Sequence, residues 1–185
     1  MFELTPNQIT MARVYLLPLV VLLIFYPFSE YNIVAALVFG AAAATDWLDG
    51  YLARLKNQVT ELGKLLDPIA DKLLLVAALV PLVSLHRVPA WIAVIILSRE
   101  FAVTGLRSVA AYKGKIIAAD KLGKYKVGTQ ITGIILLILN WNLGFINFYI
   151  LGNIVIFISM ILAVISGYLY FKRYWDTIKE SEHDS

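Results

Sequence analysis

Two pairs of aspartates, spaced like neighbours on a helix face, are the side chains of this sequence best suited to chemistry. Asp46 and Asp49 are three residues apart, and Asp67 and Asp71 are four residues apart. Both spacings place the two carboxylates on the same face of an α-helix. Small residues share these two faces: Gly50, Ala53, Gly63 and Ala70. Such residues allow either close helix packing or the approach of a ligand beside the carboxylates.

Four carboxylates that share an apolar cavity need a compensating positive charge, because burial and mutual repulsion both disfavour their ionised forms. Two divalent cations would suit four carboxylates and a phosphoryl-transfer reaction. The chain has no cysteine and only His86 and His183, which excludes a metal site built from thiolates or histidines. The alternative is a set of buried ion pairs with neighbouring cations, namely Arg54, Lys72, Arg99 and Arg107. Buried ion pairs stabilise poorly, and they leave the glycines unexplained.

The composition places this chemistry in a membrane. Of the 185 residues, 60% are hydrophobic and 16% are charged, and the mean hydropathy is +0.76. An ordinary soluble domain has about 25% charged residues. These values exclude a disordered chain, a collagen-like chain and a nucleic-acid-binding domain, so we expect no nucleic-acid partner. They indicate a small polytopic membrane protein.

Apolar runs separated by charged residues predict an all-α bundle of six transmembrane helices. The predicted spans are residues 7–28, 31–54, 62–85, 89–112, 121–140 and 147–171. Residues 1–175 would form one membrane domain, followed by a polar cytoplasmic tail at 176–185. Thr5 is predicted to cap the N-terminus of the first helix, with Pro6 as the first helical residue. The asparagines between residues 140 and 147 predict a hairpin turn.

The distribution of lysine and arginine predicts the orientation. The connections that follow spans one, three and five hold a single Arg87 between them, whereas the other side holds most of the lysines. The positive-inside rule therefore places both termini in the cytoplasm. An aromatic belt would mark the outer interface: Tyr26, Tyr31, Trp91 and Trp141. Ionisable residues crowd the inner halves of spans two to four, which predicts a polar cavity open to the cytoplasm, and the last two spans are interpreted as scaffold.

Residues 46–71 read D-x2-D-G-x2-A-R-x8-G-x3-D-x3-D, and this segment resembles the signature of the CDP-alcohol phosphotransferase family. The resemblance extends over nearly the whole chain up to about residue 173. It implies a six-helix fold, two bound Mg²⁺ or Mn²⁺ ions, a homodimer in the cell membrane, and displacement of CMP from a CDP-linked donor by an alcohol. In the matching positions it implies metal ligation by the four aspartates, Asp46, Asp49, Asp67 and Asp71. Asp71 would also act as the base on the attacking hydroxyl.

The same resemblance implies a binding site for the CDP group on the first three helices. Its residues would be Asn7, Thr10, Arg13, Gly50, Ala53, Arg54 and Gly63. For the first three of these, helix capping and anchoring at the membrane surface are equally open explanations.

Further motifs resemble family members whose acceptor is sn-glycerol 3-phosphate and whose donor is CDP-diacylglycerol. They are Pro6-Asn7 with Arg13, Arg99-Glu100-Phe101, Gly105-Leu106-Arg107 and Gly123-Lys124-Tyr125-Lys126. Val127 stands where the family usually has threonine. A dianionic acceptor phosphate needs cations of its own, and arginine offers a bidentate fork for it. The residues expected to bind it are Arg99, Arg107 and Lys124, while the remaining lysines are interpreted as topological or lipid-facing.

Other functions remain open at this point. The acceptor could be phosphatidylglycerol, which would yield cardiolipin, or serine or inositol phosphate. A membrane prenyltransferase also binds diphosphate through paired aspartates, but the spacing of Gly50, Arg54 and Gly63 argues against it. A cation channel or transporter would need polar residues along the whole path, and the outer halves of the spans carry no charge.

Overall fold

The structure, a computed structural model, describes the backbone of residues 6–26, 29–56, 61–112 and 121–183. Side chains are described for residue 11 and for residues 13–26, 31–45, 69–111 and 122–175. The helices are α1 (Pro6–Phe25), α2 (Ser29–Lys56), α3 (Glu61–Ser84), α4 (Ala90–Tyr112), α5 (Lys121–Leu139) and α6 (Phe148–His183). Each of these six helices in the described ranges overlaps one predicted span, so the all-α prediction is confirmed.

Two of the described helices are long and apolar enough to cross a membrane. They contain the apolar segments Leu122–Leu139 in α5 and Phe148–Trp175 in α6. The apolar segments Arg13–Phe25 and Tyr31–Thr45 are shorter. Ionisable residues shorten the apolar stretches of α2, α3 and α4, as the sequence shows. Six membrane crossings therefore stay a prediction.

The predicted hairpin between α5 and α6 is present. Strand β1 (Asn142–Leu143) pairs antiparallel with strand β2 (Ile146–Asn147), and Gly144 in the turn has a φ of +54°. A side chain is strained in this left-handed region, so glycine suits the position. Asn140, the first residue after α5, has a φ of +46°, which asparagine tolerates better than most residues.

Arg87, in the connection between α3 and α4, forms hydrogen bonds with both α5 and α6 at the side opposite the lysines. Nη1 of Arg87 donates to the carbonyl oxygens of Leu137 at 3.2 Å and Ile138 at 2.9 Å, in the last turn of α5. Nδ2 of Asn153 in α6 donates to the carbonyl oxygen of Arg87 at 3.2 Å. Carbonyl oxygens at a helix C-terminus lack hydrogen-bond donors within the helix. Arg87, in the connection between α3 and α4, provides the donor for two such oxygens of α5.

Helices α5 and α6 approach each other closely because glycines lie at their contact. A Cβ on Gly133 would lie 3.0 Å from the backbone nitrogen of Ile156, and one on Gly152 would lie 2.7 Å from Cγ of Leu137. Small residues at such contacts are typical of helix pairs in membranes. Around them α1 packs on α2 and α3, α2 packs on α5, and α4 packs on α3 and α6. The buried core between these helices includes Phe39, Leu79, Ile96, Ile134 and Ile156.

Helix α6 is longer than the predicted sixth span, which ends at residue 171. It continues to His183 and so includes most of the segment assigned to a polar tail. The segment after Phe171 contains neither glycine nor proline, and these are the residues that most readily end a helix.

Candidate active site

A cavity of about 490 Å³ lies among helices α2, α3, α4 and α5. One part of its lining is polar and comes from three helices: Asp71 and Lys72 from α3, Glu100 from α4, and Lys126 from α5. Apart from Gln130, the rest is apolar and includes Phe39, Leu74, Leu75, Ile131 and Ile135. The cavity can therefore accept a ligand that has a charged end and an aliphatic end.

Glu100 is the centre of a buried charge cluster in this cavity. The residue is only 3% exposed. Its Oε2 lies 3.2 Å from Nζ of Lys72, and its Oε1 lies 3.2 Å from Nη1 of Arg99 and also accepts a hydrogen bond from Nζ of Lys126. Lys72 in turn lies 3.2 Å from Oδ2 of Asp71. Among the described side chains, two carboxylates thus face three cations in this cluster.

Arg99 is held by the last helix rather than pointing freely into the cavity. Its Nε donates to the carbonyl oxygen of Ala163 at 3.0 Å, and its Nη2 donates to Oγ of Ser166 at 2.8 Å. The side chain passes over Gly167, where an added Cβ would lie 3.1 Å from Cγ of Arg99. Helix α6 therefore fixes Arg99 against Glu100, and its guanidinium is already committed to three partners.

Removing the charge of Glu100 should destabilise the protein. In the Glu100→Gln variant, Lys72, Arg99 and Lys126 lose the carboxylate that compensates them, and breaking a buried pair on one side costs about 3–5 kcal/mol. We expect a clear fall in the melting temperature, measured by thermal unfolding in detergent.

The double variant Glu100→Gln/Lys126→Met is the matched control, because it removes the opposite charge as well. It should regain part of the lost stability, since the two sites are coupled. If Glu100→Gln unfolds at the wild-type temperature, or if the double variant is as unstable as the sum of its single changes, the charge cluster does not stabilise the fold.

The structure describes five of the residues predicted to act in catalysis or binding, and it separates them into three groups. Asp71 lines the cavity and its side chain is 38% exposed. Arg13 and Arg99 are largely enclosed by the protein, with Arg13 only 1% exposed. Arg107 and Lys124 are exposed and do not line the cavity. The cation that does reach into the cavity from α5 is Lys126, two residues beyond Lys124.

The other predicted site residues have side chains outside the described set. They are Asn7, Thr10, Asp46, Asp49, Gly50, Ala53, Arg54, Gly63 and Asp67. Their backbone is helical, in α1, α2 and α3, so the helical spacing on which the sequence argument depends is present.

The donor set fits a hard divalent cation. Four carboxylates on two helices that pack together, α2 and α3, would provide the oxygen ligands that Mg²⁺ prefers. Among the side chains that the structure describes, no three aspartate, glutamate or histidine residues converge, and three of the four aspartates lie outside that set. Asp71, the described one, is accessible from the cavity, as a ligand shared between metal and substrate must be.

The sequence reasoning missed two residues of the cavity, Lys126 and Gln130. Both are buried, at 3% and 2% exposure, and both line the cavity. They are four residues apart and therefore share a face of α5. This face was detectable in the sequence as a polar pair at the start of a long apolar helix, which argues that α5 contributes to the site and is not scaffold alone.

Comparison with known proteins identifies the family of this chain. Residues 3–165 match the CDP-alcohol phosphatidyltransferase family. Three similar proteins carry the name CDP-diacylglycerol–glycerol-3-phosphate 3-phosphatidyltransferase. The protein from Bacillus subtilis is 41% identical over 98% of this chain and its own full length. The Rickettsia typhi protein is 39% identical over 90% of this chain and 94% of its own, and the Pseudomonas fluorescens protein is 37% identical over 94% and 91%. The chain belongs to the CDP-alcohol phosphatidyltransferase family.

Proposed function

We propose that this protein transfers the phosphatidyl group of CDP-diacylglycerol to sn-glycerol 3-phosphate, releasing CMP and forming phosphatidylglycerophosphate. One observation carries the proposal: Asp71 of the signature lies in a cavity that has a charged end, where Lys72 and Lys126 lie beside the carboxylates, and an apolar end. The names of similar proteins that span nearly the whole chain support the same donor and acceptor. The donor matches both ends of the cavity, because it has a charged diphosphate at one end and aliphatic acyl chains at the other.

In the proposed reaction the 1-hydroxyl oxygen of glycerol 3-phosphate attacks the phosphorus that bears diacylglycerol. A bond forms between these two atoms, and the bond from that phosphorus to the bridging oxygen breaks, so that CMP leaves with this oxygen. Asp71 accepts the hydroxyl proton. Lys72, held 3.2 Å from Asp71 and 3.2 Å from Glu100, keeps a positive charge beside the reacting groups.

Two divalent cations would be held by Asp46, Asp49, Asp67 and Asp71. When bound, they would neutralise the charge on the transferring and leaving oxygens. The proposed contacts to the CDP group come from Asn7, Thr10 and Arg13 on α1 and from small or basic residues on α2 and α3, namely Gly50, Ala53, Arg54 and Gly63.

We place the protein in the cell membrane as a multi-pass homodimer with both termini and the cavity's polar end facing the cytoplasm. Two membrane-capable helices and the family support a membrane location. The aromatic residues expected at the outer interface are exposed, as such a belt requires: Tyr26, Tyr31, Trp91 and Trp141. The rings of Tyr26 and Tyr31 lie 4.5 Å apart, which joins α1 and α2 at that surface.

Arg107 and Lys124 are the proposed contacts for the phosphate of the acceptor, and Arg99, whose guanidinium is held by α6 and Glu100, would contribute only its charge. Their exposure outside the cavity suits a soluble substrate that arrives from the cytoplasm. Arg107→Ala or Lys124→Ala should raise the KM for glycerol 3-phosphate about ten- to 150-fold, because a hydrogen bond to a charged group contributes about 1.5–3 kcal/mol. The KM for CDP-diacylglycerol should change little. Both constants come from steady-state assays of CMP release.

Lys113→Ala is the matched control, since it removes a lysine that is not among the residues proposed to bind the acceptor. It should leave both constants near the wild-type values. If Arg107→Ala and Lys124→Ala instead raise the KM for CDP-diacylglycerol, the two residues belong to the donor site.

The acceptor is identified by comparing the rates of CMP release with four candidate acceptors. Purified protein with CDP-diacylglycerol and Mg²⁺ or Mn²⁺ is given glycerol 3-phosphate, phosphatidylglycerol, serine and inositol phosphate in separate reactions. Fast CMP release with glycerol 3-phosphate is expected. CMP release that is faster with phosphatidylglycerol would assign the protein to cardiolipin synthesis.

A further inference from the structure

Gln130 presents an unusual polar group in the apolar part of the cavity. The residue is 2% exposed and lines the cavity, and its amide nitrogen Nε2 has no hydrogen-bond partner among the residues that the structure describes. A buried amide without a partner has lost its hydrogen bonds to water without replacement, so buried polar groups are nearly always paired. The position of this amide in a cavity wall indicates that a ligand atom is its partner.

The surroundings of Gln130 define the chemistry of that atom. On one side, one helical turn or about 6 Å away along α5, is Lys126 with Glu100 at the charged end of the cavity. On the other side the lining is apolar, with Ile131 and Ile135 following on the same helix. A phosphate would go to the lysines. The partner of Gln130 is therefore a neutral acceptor oxygen that lies between an anionic group and an aliphatic chain.

An acyl-ester carbonyl of a glycerolipid has this order of groups. From these observations we infer that Gln130 donates a hydrogen bond to an ester carbonyl of the phosphatidyl donor and that the apolar part of the cavity receives the attached acyl chain. The cavity volume of about 490 Å³ lies in the range of about 300–1,000 Å³ that is usual for ligand sites. The inference rests on the proposed function, because it takes the donor to be CDP-diacylglycerol, and it makes Gln130 a determinant of donor specificity.

The test compares an ester donor with its ether analogue. Dipalmitoyl CDP-glycerol and dihexadecyl CDP-glycerol have the same head group and chain length, but the ether lacks the carbonyl oxygens. Dissociation constants are measured in detergent micelles, without acceptor, for the wild type and for Gln130→Leu. A net hydrogen bond contributes about 0.5–1.5 kcal/mol, so the wild type should bind the ester about two- to twelve-fold more tightly than the ether. Gln130→Leu should weaken the binding of the ester donor but not of the ether donor. The ratio of the two dissociation constants should therefore come close to one.

Thr132→Val is the matched control. It also replaces a polar residue of α5 by an apolar one, but Thr132 is exposed, does not line the cavity, and donates to the carbonyl oxygen of Gly128 in its own helix. It should keep the wild-type ratio. Gln130→Leu should melt at or above the wild-type temperature, since it removes a buried unpaired amide. Gln130→Asn gives a second test, because its shorter side chain withdraws the amide, and it should lower the ratio as well.

The inference is overturned if Gln130→Leu weakens the binding of both donors equally. It is also overturned if both Gln130 variants keep the wild-type ratio of the ether and ester dissociation constants. Diester phosphatidylcholine added to the micelles identifies the source of the ester: loss of the wild-type preference on its addition would assign the carbonyl to a bulk lipid and overturn the donor assignment. The proposed function is judged separately by product. A wild type that prefers the ester but forms no phosphatidylglycerophosphate refutes the function, whereas a wild type that forms product without a Gln130-dependent preference refutes only the inference.

Discussion

Loss of metal-dependent CMP release is the expected result of Asp46→Ala, Asp49→Ala and Asp67→Ala. Each change removes a proposed ligand of the two metal ions. The donor diphosphate would then no longer be held in its reactive position. The expected activity lies below detection in an assay with CDP-diacylglycerol, glycerol 3-phosphate and Mg²⁺ or Mn²⁺. Excess metal should rescue these variants poorly, because the lost ligand also misplaces the substrate.

Asp176→Ala serves as the control for these variants, since it removes a carboxylate outside the signature at residues 46–71. It should release CMP at the wild-type rate. Activity of any of the three signature variants without added metal would show that the four aspartates do not hold a two-metal site.

Asp71→Asn is expected to lower kcat by about 10²–10⁴-fold, the usual loss on removing a general base. The amide has the shape of the carboxylate but does not accept the hydroxyl proton. Because Lys72 has a second partner in Glu100 at 3.2 Å, the charge cluster should survive, and the variant should fold and bind CDP-diacylglycerol. Single-turnover kinetics with preformed donor complex measure the chemical step directly.

A matched change nearby separates the base from its surroundings. Lys72→Met removes the cation beside Asp71 but leaves the carboxylate, so it should cost less turnover than Asp71→Asn does. Near-normal turnover in Asp71→Asn would remove Asp71 from the role of base.

The arrangement of helices was predictable because hydropathy and charge determine where a chain in this class is helical. The six predicted spans each coincide with a helix of the described structure, and the asparagine-rich segment after residue 139 forms a hairpin with Gly144 in its turn. Helix ends were less predictable. Helix α6 runs to His183, beyond the last apolar residue, because helix-forming polar residues continue it into the segment assigned to a tail.

The pairing of charges could not be predicted, since it depends on how the helices rotate against one another. The sequence places Glu100 and Arg107 seven residues apart on one face of α4, but Glu100 contacts Lys72 and Lys126, which belong to other helices. Likewise, the sequence predicts that Arg99 binds the acceptor phosphate. In the structure its guanidinium donates hydrogen bonds to Ala163 and Ser166 on α6. Partners from distant helices leave no periodic signal in the sequence.

The measurement that tests the central claim most directly follows one oxygen atom. Glycerol 3-phosphate labelled with ¹⁸O at the 1-hydroxyl is incubated with purified protein, CDP-diacylglycerol and Mg²⁺, and the products are analysed by mass spectrometry. Attack on the phosphatidyl phosphorus predicts phosphatidylglycerophosphate that retains the label and CMP that carries none. Phosphatidic acid together with labelled CMP-linked glycerol phosphate, or CMP release that leaves glycerol 3-phosphate unconsumed, would contradict phosphatidyl transfer to this acceptor.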